Sequence, residues 1–368
     1  MRIIIGADVV PTQSNMPAFK QGDALAIVGE KAVNWIKDAD FHVYNLETPL
    51  CDEPDPIDKN GPHLITPTAA IKGYKALGAD LLTLANNHVA DQGQQGILST
   101  FKIVDEADIA RIGCGTPTDA AKPYVIEDNG KKIGIYACAE HEFSIASEDK
   151  WGANPFDPLE CPDRIAKLKS ECEFVIVLYH GGREFYRYPL PQLQKNCRKL
   201  VQKGADLVVC QHTHCIGCYE DYLEGKIIYG QGNFVFDRIS DEYWNTSLLI
   251  KVDTNSKEVE YLPLSKVSGS LKAAEVDEAD GIIKGFIKRS EEIKSEGFVA
   301  KRLKQEAKAN ALYIARSLAG NSLFHKALSK IAPRLLAKIL LKKTKRLKIL
   351  NLIMCDSLRE IVISALED

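Results

Sequence analysis

Apolar and polar positions along most of the chain follow two alternating patterns, which together predict an α/β protein. Short apolar runs typical of buried strands occupy residues 2–5, 42–46, 80–84, 133–138, 174–178, 206–210, 227–229, 248–252 and 259–263. Between them, apolar residues recur at helical spacing. Helices are predicted at residues 23–37 and 67–77, and around the periodic sets Ile97, Phe101, Val104 and Leu190, Leu193, Cys197, Leu200.

The pattern changes after residue 267, which predicts two domains, residues 1–267 and 268–368. Residues 281–368 have helical periodicity and no strand pattern. Residues 326–350 contain nine Lys or Arg and no acid. Their apolar face is expected to pack on the domain or on a second subunit, because amphipathic helices of globular proteins mostly cover a core. The alternative is peripheral contact with an anionic membrane through residues 326–350.

Composition is that of an ordinary globular protein. The chain has 368 residues, of which 45% are apolar and 26% charged, so it can bury a full core. Its formal net charge of −3 argues against nucleic acid as a partner. Ten scattered cysteines and a strand that starts directly after Met1 indicate a cytoplasmic location, with peripheral association at the inner membrane face as a variant. Oligomeric state cannot be inferred.

Five of the predicted strands end in residues that bind divalent metals. These residues are Asp8, Glu47, Asn87 with His88, His180, and the pair His212 and His214. In an α/β protein the carboxyl ends of the strands share one edge of the sheet, so these side chains are expected to meet in one cleft. Individually, each has an ordinary structural alternative as a turn, cap or loop residue. Five such strand ends together favour a metal site.

The residue types indicate a specific chemistry. Two close cations need a shared anionic ligand, for which Glu47 is the candidate, and Asp8 would bind one of the ions. Imidazoles favour Mn, Fe, Zn or Co over Mg or Ca. His88 lies next to the candidate amide ligand Asn87 and suits a general acid, and Asp91 follows at a spacing that lets it orient His88. The predicted catalytic residues are therefore His88 and Asp91.

Several short motifs together resemble the CapA family of capsule and poly-γ-glutamate synthesis proteins. They are Asn45-Leu46-Glu47-Thr48-Pro49, Ala85-Asn86-Asn87-His88 with Asp91 and Gly93, His180-Gly181-Gly182 with Glu184, Gly204-Ala205-Asp206, Gln211–His214, and Gly232–Asp237. The resemblance covers roughly residues 1–262. It implies a calcineurin-like metallophosphoesterase fold, a four-layer αββα sandwich, followed here by the C-terminal helices.

The resemblance also implies a ligand set. Asp8, Glu47 and His214 resemble the ligands of one metal, and Glu47, Asn87, His180 and His212 those of a second, with His88 as the catalytic histidine. Phosphoesterases of this fold carry Asp-x-His in the first motif, whereas Val10 follows Asp8 and Val9 here. The expected cofactors are two divalent transition metals, Mn, Fe or Zn, with the first site the weaker one.

Function is expected to be hydrolysis of a phosphoester in surface-polymer biosynthesis, with an anionic small molecule or polymer as substrate. Arg183 can pair with phosphate or carboxylate, and Glu184 matches a position of the motifs that resemble the CapA family. Lys59 lies in a proline-rich loop, residues 51–67, which is expected to cover the cleft. All three are predicted substrate contacts. Two alternatives use the same site: hydrolysis or transfer of a γ-glutamyl amide, and a non-catalytic role in binding or assembly during capsule synthesis.

Overall fold

The computed structural model describes residues 1–236, 243–267, 270–319 and 342–367. Contacts along the chain separate two units, Met1–Val299 and Ala300–Asp368. The first unit contains both large sheets and all of the predicted metal ligands.

Eight strands of the described chain form the first sheet, and β1 (Arg2–Val9) lies near its centre. The others are β2 (Phe41–Leu46), β3 (Leu81–Thr83), β4 (Ala110–Ile112), β13 (Asn233–Val235), β14 (Thr246–Asp253), β15 (Val259–Val267) and β16 (Ser270–Ala273). Their order is β16-β15-β14-β1-β2-β3-β4, and β13 also pairs with β1. Because β1 to β4 are mutually parallel, β1, β2 and β3 end at the same edge of the sheet.

The second sheet has six strands in the order β11-β12-β10-β9-β7-β6. They are β6 (Tyr124–Asp128), β7 (Lys131–Ala139), β9 (Phe174–His180), β10 (Leu207–Gln211), β11 (Tyr219–Tyr222) and β12 (Gly225–Ile228). The central strands β7, β9, β10 and β12 are parallel, and antiparallel hairpins close both sides. Two short strands, β5 (Cys114–Gly115) and β8 (Gly152–Ala153), pair separately.

Twelve α-helices occur in the described ranges. They are α1 (Met16–Gln21), α2 (Ala24–Lys37), α3 (Ile71–Ala76), α4 (Gly93–Glu106), α5 (Pro117–Ala120), α6 (Glu160–Glu171), α7 (Pro191–Gln202), α8 (Val276–Glu292), α9 (Phe298–Ala309), α10 (Ala311–Ala319), α11 (Lys343–Met354) and α12 (Asp356–Glu367). A 3₁₀ turn, Thr68–Ala70, precedes α3 and occupies the start of the helix predicted at residues 67–77.

The layers stack as helix, sheet, sheet, helix. One buried apolar cluster contains Ile5 of the first sheet and Ile135 of the second, so the sheets pack face to face. On the other face of the second sheet, Val177 belongs to a separate cluster with Ile165 of α6 and Leu200 of α7. Helices α2 and α4 pack on β16 and β4 of the first sheet. The predicted four-layer α/β sandwich with C-terminal helices is confirmed.

The predicted helix at residues 23–37 is present but bent. Asp23 caps it by accepting a hydrogen bond from the Ala26 amide at 3.0 Å. Gly29 has φ of 74°, a left-handed conformation that interrupts the helix. Apolar spacing continues across this residue, which is why the pattern alone predicts one unbroken helix.

The expectation that all five metal-binding strand ends lie along one sheet is wrong. β1, β2 and β3 belong to the first sheet, whereas β9 and β10 belong to the second. All of these strands are buried over most of their length, so their residues read as continuous apolar runs. Such runs predict burial but carry no information about which strands pair.

Helix α8 belongs with the sandwich, although the sequence places the domain boundary at residue 267. It packs on β11 and β15, and its Phe286 contacts the rings of Tyr219 and Tyr261, each with a centroid distance of 5.2 Å. The contacts therefore divide the chain after Val299. Beyond this boundary, the helices described within residues 300–319 and 342–367 agree with the periodicity.

Part of the basic segment predicted at residues 326–350 lies outside the described residues, up to residue 341. Its last part forms the start of α11, where Leu347 and Leu350 are 51% and 41% exposed. Packing and membrane contact both stay predictions for this segment. Among the helices that the structure describes, none is long and apolar enough to span a lipid bilayer.

Candidate metal centre

Two buried carboxylates stand at the end of the first sheet. Asp8 lies in β1, opposite Asn45 of β2 and Asn233 of β13, and Glu47 directly follows β2. Both side chains are fully buried. The parallel register of β1 and β2 brings the two carboxylates to the same place, which is the contribution of the fold to this part of the site.

Asp8 is held by neighbouring polar groups. Asn45 Nδ2 donates to Asp8 Oδ1 at 2.7 Å, and the backbone amide of His212 donates to Oδ2 at 3.2 Å. His214 Nδ1 lies 3.7 Å from the same Oδ2. Burial, together with the smaller effect of the nearby Glu47 charge, raises the pKa of Asp8 to about 7, because removing a carboxylate from water disfavours its ionised form.

Glu47 is buried without hydrogen-bonding compensation. Neither of its carboxylate oxygens accepts a hydrogen bond from any residue that the structure describes. Its Oε1 lies 3.3 Å from His180 Nε2. Burial raises the pKa of Glu47 to about 8. A buried carboxylate with two bare oxygens is costly unless something positively charged binds it.

Three imidazoles come from the second sheet. His180 is the last residue of β9, and His212 and His214 follow β10. Both His212 and His214 have left-handed backbone, with φ of 84° and 52°. This conformation is uncommon for residues other than glycine. The segment from His212 to His214 is therefore not a regular strand with alternating side chains. The left-handed backbone at these two residues places both imidazole rings at the site.

Two of these imidazoles, His180 and His212, are kept neutral by burial. His180 Nε2 lies 3.2 Å from His212 Nδ1 and 2.9 Å from the side-chain oxygen of Asn87. Burial lowers the pKa of His180 to about 4 and that of His212 well below its ordinary value. Neutral imidazole is the form that binds metals.

Two of the three groups of donor atoms found among the described residues share Glu47. One consists of Asp8, Glu47 and His214, and the other of Glu47, His180 and His212; within each group the atoms lie within 4.8 Å of one another. Uncompensated carboxylate oxygens beside neutral imidazoles fit divalent transition metals. The grouping agrees with the ligand sets that the family resemblance implies, and half-buried Asn87 borders the second group.

The candidate general acid lies beside this centre. His88 is buried and its charge acts on Glu47, His180 and His212. Its Nδ1 lies 2.6 Å from Asp91 Oδ2. The structure thus brings His88 and Asp91 together in the arrangement that their sequence spacing suggests.

The three predicted substrate contacts are placed differently. Arg183 is exposed, and its positive charge contributes to the lowered pKa of His212. Glu184 is half-buried, and its negative charge contributes to the raised pKa of Glu47. Lys59 is engaged inside the protein, where its Nζ forms an ion pair with Asp91. Arg183 and Glu184 border the centre, so contact with substrate stays a prediction for them.

Val10 occupies the position where a histidine would complete an Asp-x-His motif. It is buried, and its amide donates to the Val235 carbonyl at 2.7 Å. The first donor group therefore has fewer nitrogen donors than the second. This difference is consistent with the expected weaker first site.

Sequence reasoning missed several residues that build the centre. Asn45 Nδ2 contacts both Asp8 and His180 Nδ1, the latter at 3.2 Å, and Asn233 Oδ1 lies 2.8 Å from His214 Nδ1. Both asparagines stand in motifs that carry the family resemblance, so the signal was present but was not read as part of the site. Trp244, whose ring stacks on His214 at 4.4 Å, had no local signal.

A second group that sequence reasoning missed is acidic. Glu140 and Glu142 lie 3.9 and 3.6 Å from His212 Nε2. Burial raises the pKa of Glu140 to about 7. Glu140 directly follows β7, the neighbour of β9, so the strand-end rule that selected the other ligands would have found it.

Comparison with known proteins identifies the family. The family model described as "Bacterial capsule synthesis protein PGA_cap" matches residues 3–238, more than half of the chain. The chain belongs to the PGA_cap family. The matched residues include every predicted metal ligand and both predicted catalytic residues.

Curated proteins named for capsule and PGA biosynthesis are also similar to this chain. The chain is 31% identical over 215 residues to "Capsule biosynthesis protein CapA" of Bacillus anthracis, covering 55% of this chain and 52% of that protein. It is 28% identical over 180 residues to "PGA biosynthesis protein CapA" of Bacillus subtilis, covering 48% and 47%. The chain thus spans about half the length of the curated relatives it matches.

Among solved structures, a phosphatase from Mycoplasma pneumoniae has a TM-score of 0.45 to this chain at 17% identity. The match covers 72% of this chain and 93% of that one. A hypothetical protein from Thermus thermophilus also has a TM-score of 0.45, at 12% identity, covering 73% and 100%.

Proposed function

We propose that this PGA_cap protein is a metal-dependent hydrolase with a phosphoesterase-type dinuclear centre, acting in the biosynthesis of capsule, poly-γ-glutamate or another surface polymer. The place in biosynthesis rests on family membership and on the names of the Bacillus relatives. The proposed chemistry rests on the donor set described above.

One observation carries the proposal. Glu47 is fully buried, both of its oxygens lack hydrogen bonds from the described residues, and it is common to the two donor groups. An internal ion pair cannot explain this arrangement, because the nearest imidazole, His180, has a lowered pKa. A carboxylate shared between two cations accounts for both the burial and the missing hydrogen bonds.

The residues of the candidate centre are proposed to have three roles: binding metal, donating a proton and binding substrate. Asp8, Glu47 and His214 would hold one cation, and Glu47, Asn87, His180 and His212 the other. When bound, divalent metals lower the pKa of water and stabilise negative charge on the transferred group. His88 contacts Asp91 through Nδ1, so the doubly protonated ring would give its Nε2 proton to the departing oxygen and the neutral ring would keep the Nδ1 proton that faces Asp91. Exposed Arg183 supplies a positive charge for an anionic substrate.

The test combines metal content with activity. Purified protein should contain Mn, Fe or Zn, and metal-depleted protein should regain hydrolysis of bis(p-nitrophenyl) phosphate when Mn²⁺ is restored. His180→Gln should lose metal and activity. His42→Gln is the matched control, since His42 pairs with Asp80 away from the centre. A protein that holds no transition metal and hydrolyses no phosphodiester with added Mn²⁺ would favour the non-catalytic binding role.

A second candidate function uses the same centre on an amide. Glu140 and Glu142 add negative charge next to His212, which opposes the anionic phosphoryl group of a phosphodiester, whereas the reacting amide group of a γ-glutamyl bond is neutral although the polymer carries carboxylates elsewhere. Under this alternative the substrate is a γ-glutamyl amide, hydrolysed or transferred. Release of glutamate from poly-γ-glutamate, without hydrolysis of phosphodiesters, would support it over the main proposal.

A further inference from the structure

The loop that follows β2 is fastened to the segment carrying Asp91. The Ile57 amide donates to the Asp91 carbonyl at 3.2 Å, and the Asp55 amide donates to Gln92 Oε1 at 2.8 Å. Gln92 Nε2 in turn donates to the Leu64 carbonyl at 2.9 Å. The proline-rich loop therefore wraps around the residues just before α4, and its position relative to the His88–Asp91 pair is fixed.

Lys59, which lies in this loop, contacts both His88 and Asp91. Its side chain is only 4% exposed, and its Nζ forms an ion pair with Asp91 Oδ1 and lies 3.3 Å from His88 Nδ1. Asp91 is fully buried, and its second oxygen, Oδ2, accepts from the Leu64 amide at 2.6 Å and faces His88 Nδ1. Both carboxylate oxygens of Asp91 are thus engaged, one of them by the loop cation.

We propose that Lys59 is a positioning residue that acts through Asp91 on His88, an inference that rests on the proposed hydrolytic function. A carboxylate only accepts, and Asp91 Oδ2 lies 2.6 Å from His88 Nδ1, so the proton between them belongs on Nδ1 and the Lys59 ammonium group donates to Asp91. Lys59 fixes the Asp91 carboxylate in the orientation that accepts this proton. The ring is then held with Nε2 turned to the reaction.

The same contacts argue against Lys59 as a direct substrate ligand. Its ammonium group is almost fully buried and already paired with a buried carboxylate. Drawing it toward a substrate anion would leave Asp91 without its cation, which is costly inside a protein. Arg183, which is exposed, is better placed for that contact.

The activity test uses phosphodiesters whose leaving groups differ in basicity. A poor leaving group needs a proton from His88, whereas p-nitrophenolate departs without one. Lys59→Met should therefore lower kcat for an alkyl leaving group by about 10- to 100-fold, part of the ~10²–10⁴-fold that a positioned general acid contributes, and change p-nitrophenyl hydrolysis by less than about threefold. Lys59→Arg, which keeps a cation for Asp91, should restore most of the rate.

A matched control is available in Lys169. Its Nζ donates to the nearly buried Asp206 at 2.6 Å, and Asp206 also pairs with Lys257, so Lys169→Met removes a Lys–Asp pair outside the centre and should keep wild-type leaving-group dependence. If Lys59→Met instead raises KM with kcat unchanged, Lys59 is a substrate ligand and the proposal is wrong. Equal loss for all leaving groups, or no loss, would also overturn it.

A spectroscopic measurement separates this proposal from the proposed function. In protein with ¹⁵N-labelled histidine, the His88 signal, assigned with His88→Ala, should show the Nδ1-protonated ring in wild type and Lys59→Arg. It should show mixed tautomers in Lys59→Met. This outcome does not depend on turnover, so a wild-type protein without hydrolytic activity would refute the function but still test the role of Lys59. An unchanged His88 signal in Lys59→Met refutes the positioning role.

Discussion

The first and second sheets contribute chemically different halves of the candidate metal centre. The first sheet provides carboxylates: Asp8 lies at an irregularity in the pairing of β1, and Glu47 directly follows β2. The second provides imidazoles, of which His212 and His214 depend on left-handed backbone. Burial acts on the halves in opposite directions, raising the pKa of both carboxyl groups and lowering that of His180 and His212.

This difference shows why the two halves do not neutralise each other. Facing carboxylates and histidines often form ion pairs, but here burial favours the uncharged form of each. A carboxylate half and a neutral imidazole half can both be satisfied by a shared cation, which binds the ionised carboxylate and the nitrogen lone pair. These features support the proposal that metal completes the centre.

The largest expected effect comes from removing the bridge in the carboxylate half. Glu47→Gln keeps the shape of the side chain but loses the anionic oxygens common to both donor groups. We expect loss of bound metal, measured by elemental analysis, and of all measurable phosphodiester hydrolysis. Glu184→Gln, which changes a half-buried carboxylate beside the centre, should keep its metal. Full metal content in Glu47→Gln would contradict the bridging role.

His88→Ala should separate catalysis from metal binding. His88 belongs to neither donor group, so the variant should keep its metal. Its turnover should fall by about 10²- to 10⁴-fold, the usual contribution of a positioned general acid. Steady-state kinetics together with metal analysis measure both quantities. A variant with undiminished kcat would remove His88 from the mechanism.

The two halves should respond oppositely to pH in metal-free protein. Glu47 and Asp8 have pKa values raised from 4.5 and 3.8 to about 8 and 7, so their stabilising contribution is present at low pH and is lost as pH rises toward 8. His180 has a pKa lowered from 6.5 to about 4, so its contribution is present above 6.5 and is lost as pH falls toward 4.

Thermal unfolding in EDTA across pH 4–8 measures these contributions, each of the order of a few kcal/mol. Glu47→Gln should reduce the loss of stability on the alkaline side, and His180→Gln the loss on the acid side. If both variants follow the wild-type pH profile, burial does not set the protonation of the centre.

The smallest expected effect concerns the residue that joins the halves. Asn45 contacts Asp8 in one half and His180 in the other. Asn45→Ala should weaken Mn²⁺ binding by about 10- to 100-fold, as for other residues that orient metal ligands. Asn233→Ala, which removes a contact to His214, should affect the first donor group alone. Calorimetric titration would resolve one weakened site from two.

Much of the fold and of the candidate centre could be predicted from local patterns in the sequence. Apolar runs located the principal strands, and polar residues directly after them identified Asp8, Glu47, His180 and the His212–His214 pair. Short strands such as β4 and β13 were not predicted, because three residues are too few to show a periodic pattern of apolar positions. Lys59 is predicted from the sequence to contact substrate, because composition marks the loop as polar but does not show that it folds back onto Asp91.

The sequence by itself determined which residues are candidate metal ligands, because donor types and their positions after apolar runs are local properties of the chain. It also determined the alternation of strands and helices. Only the tertiary structure decided that the donors come from two sheets, that Glu47 is common to two groups, and that Lys59 pairs with Asp91. These features depend on strand pairing and on contacts between distant segments, which burial alone does not specify.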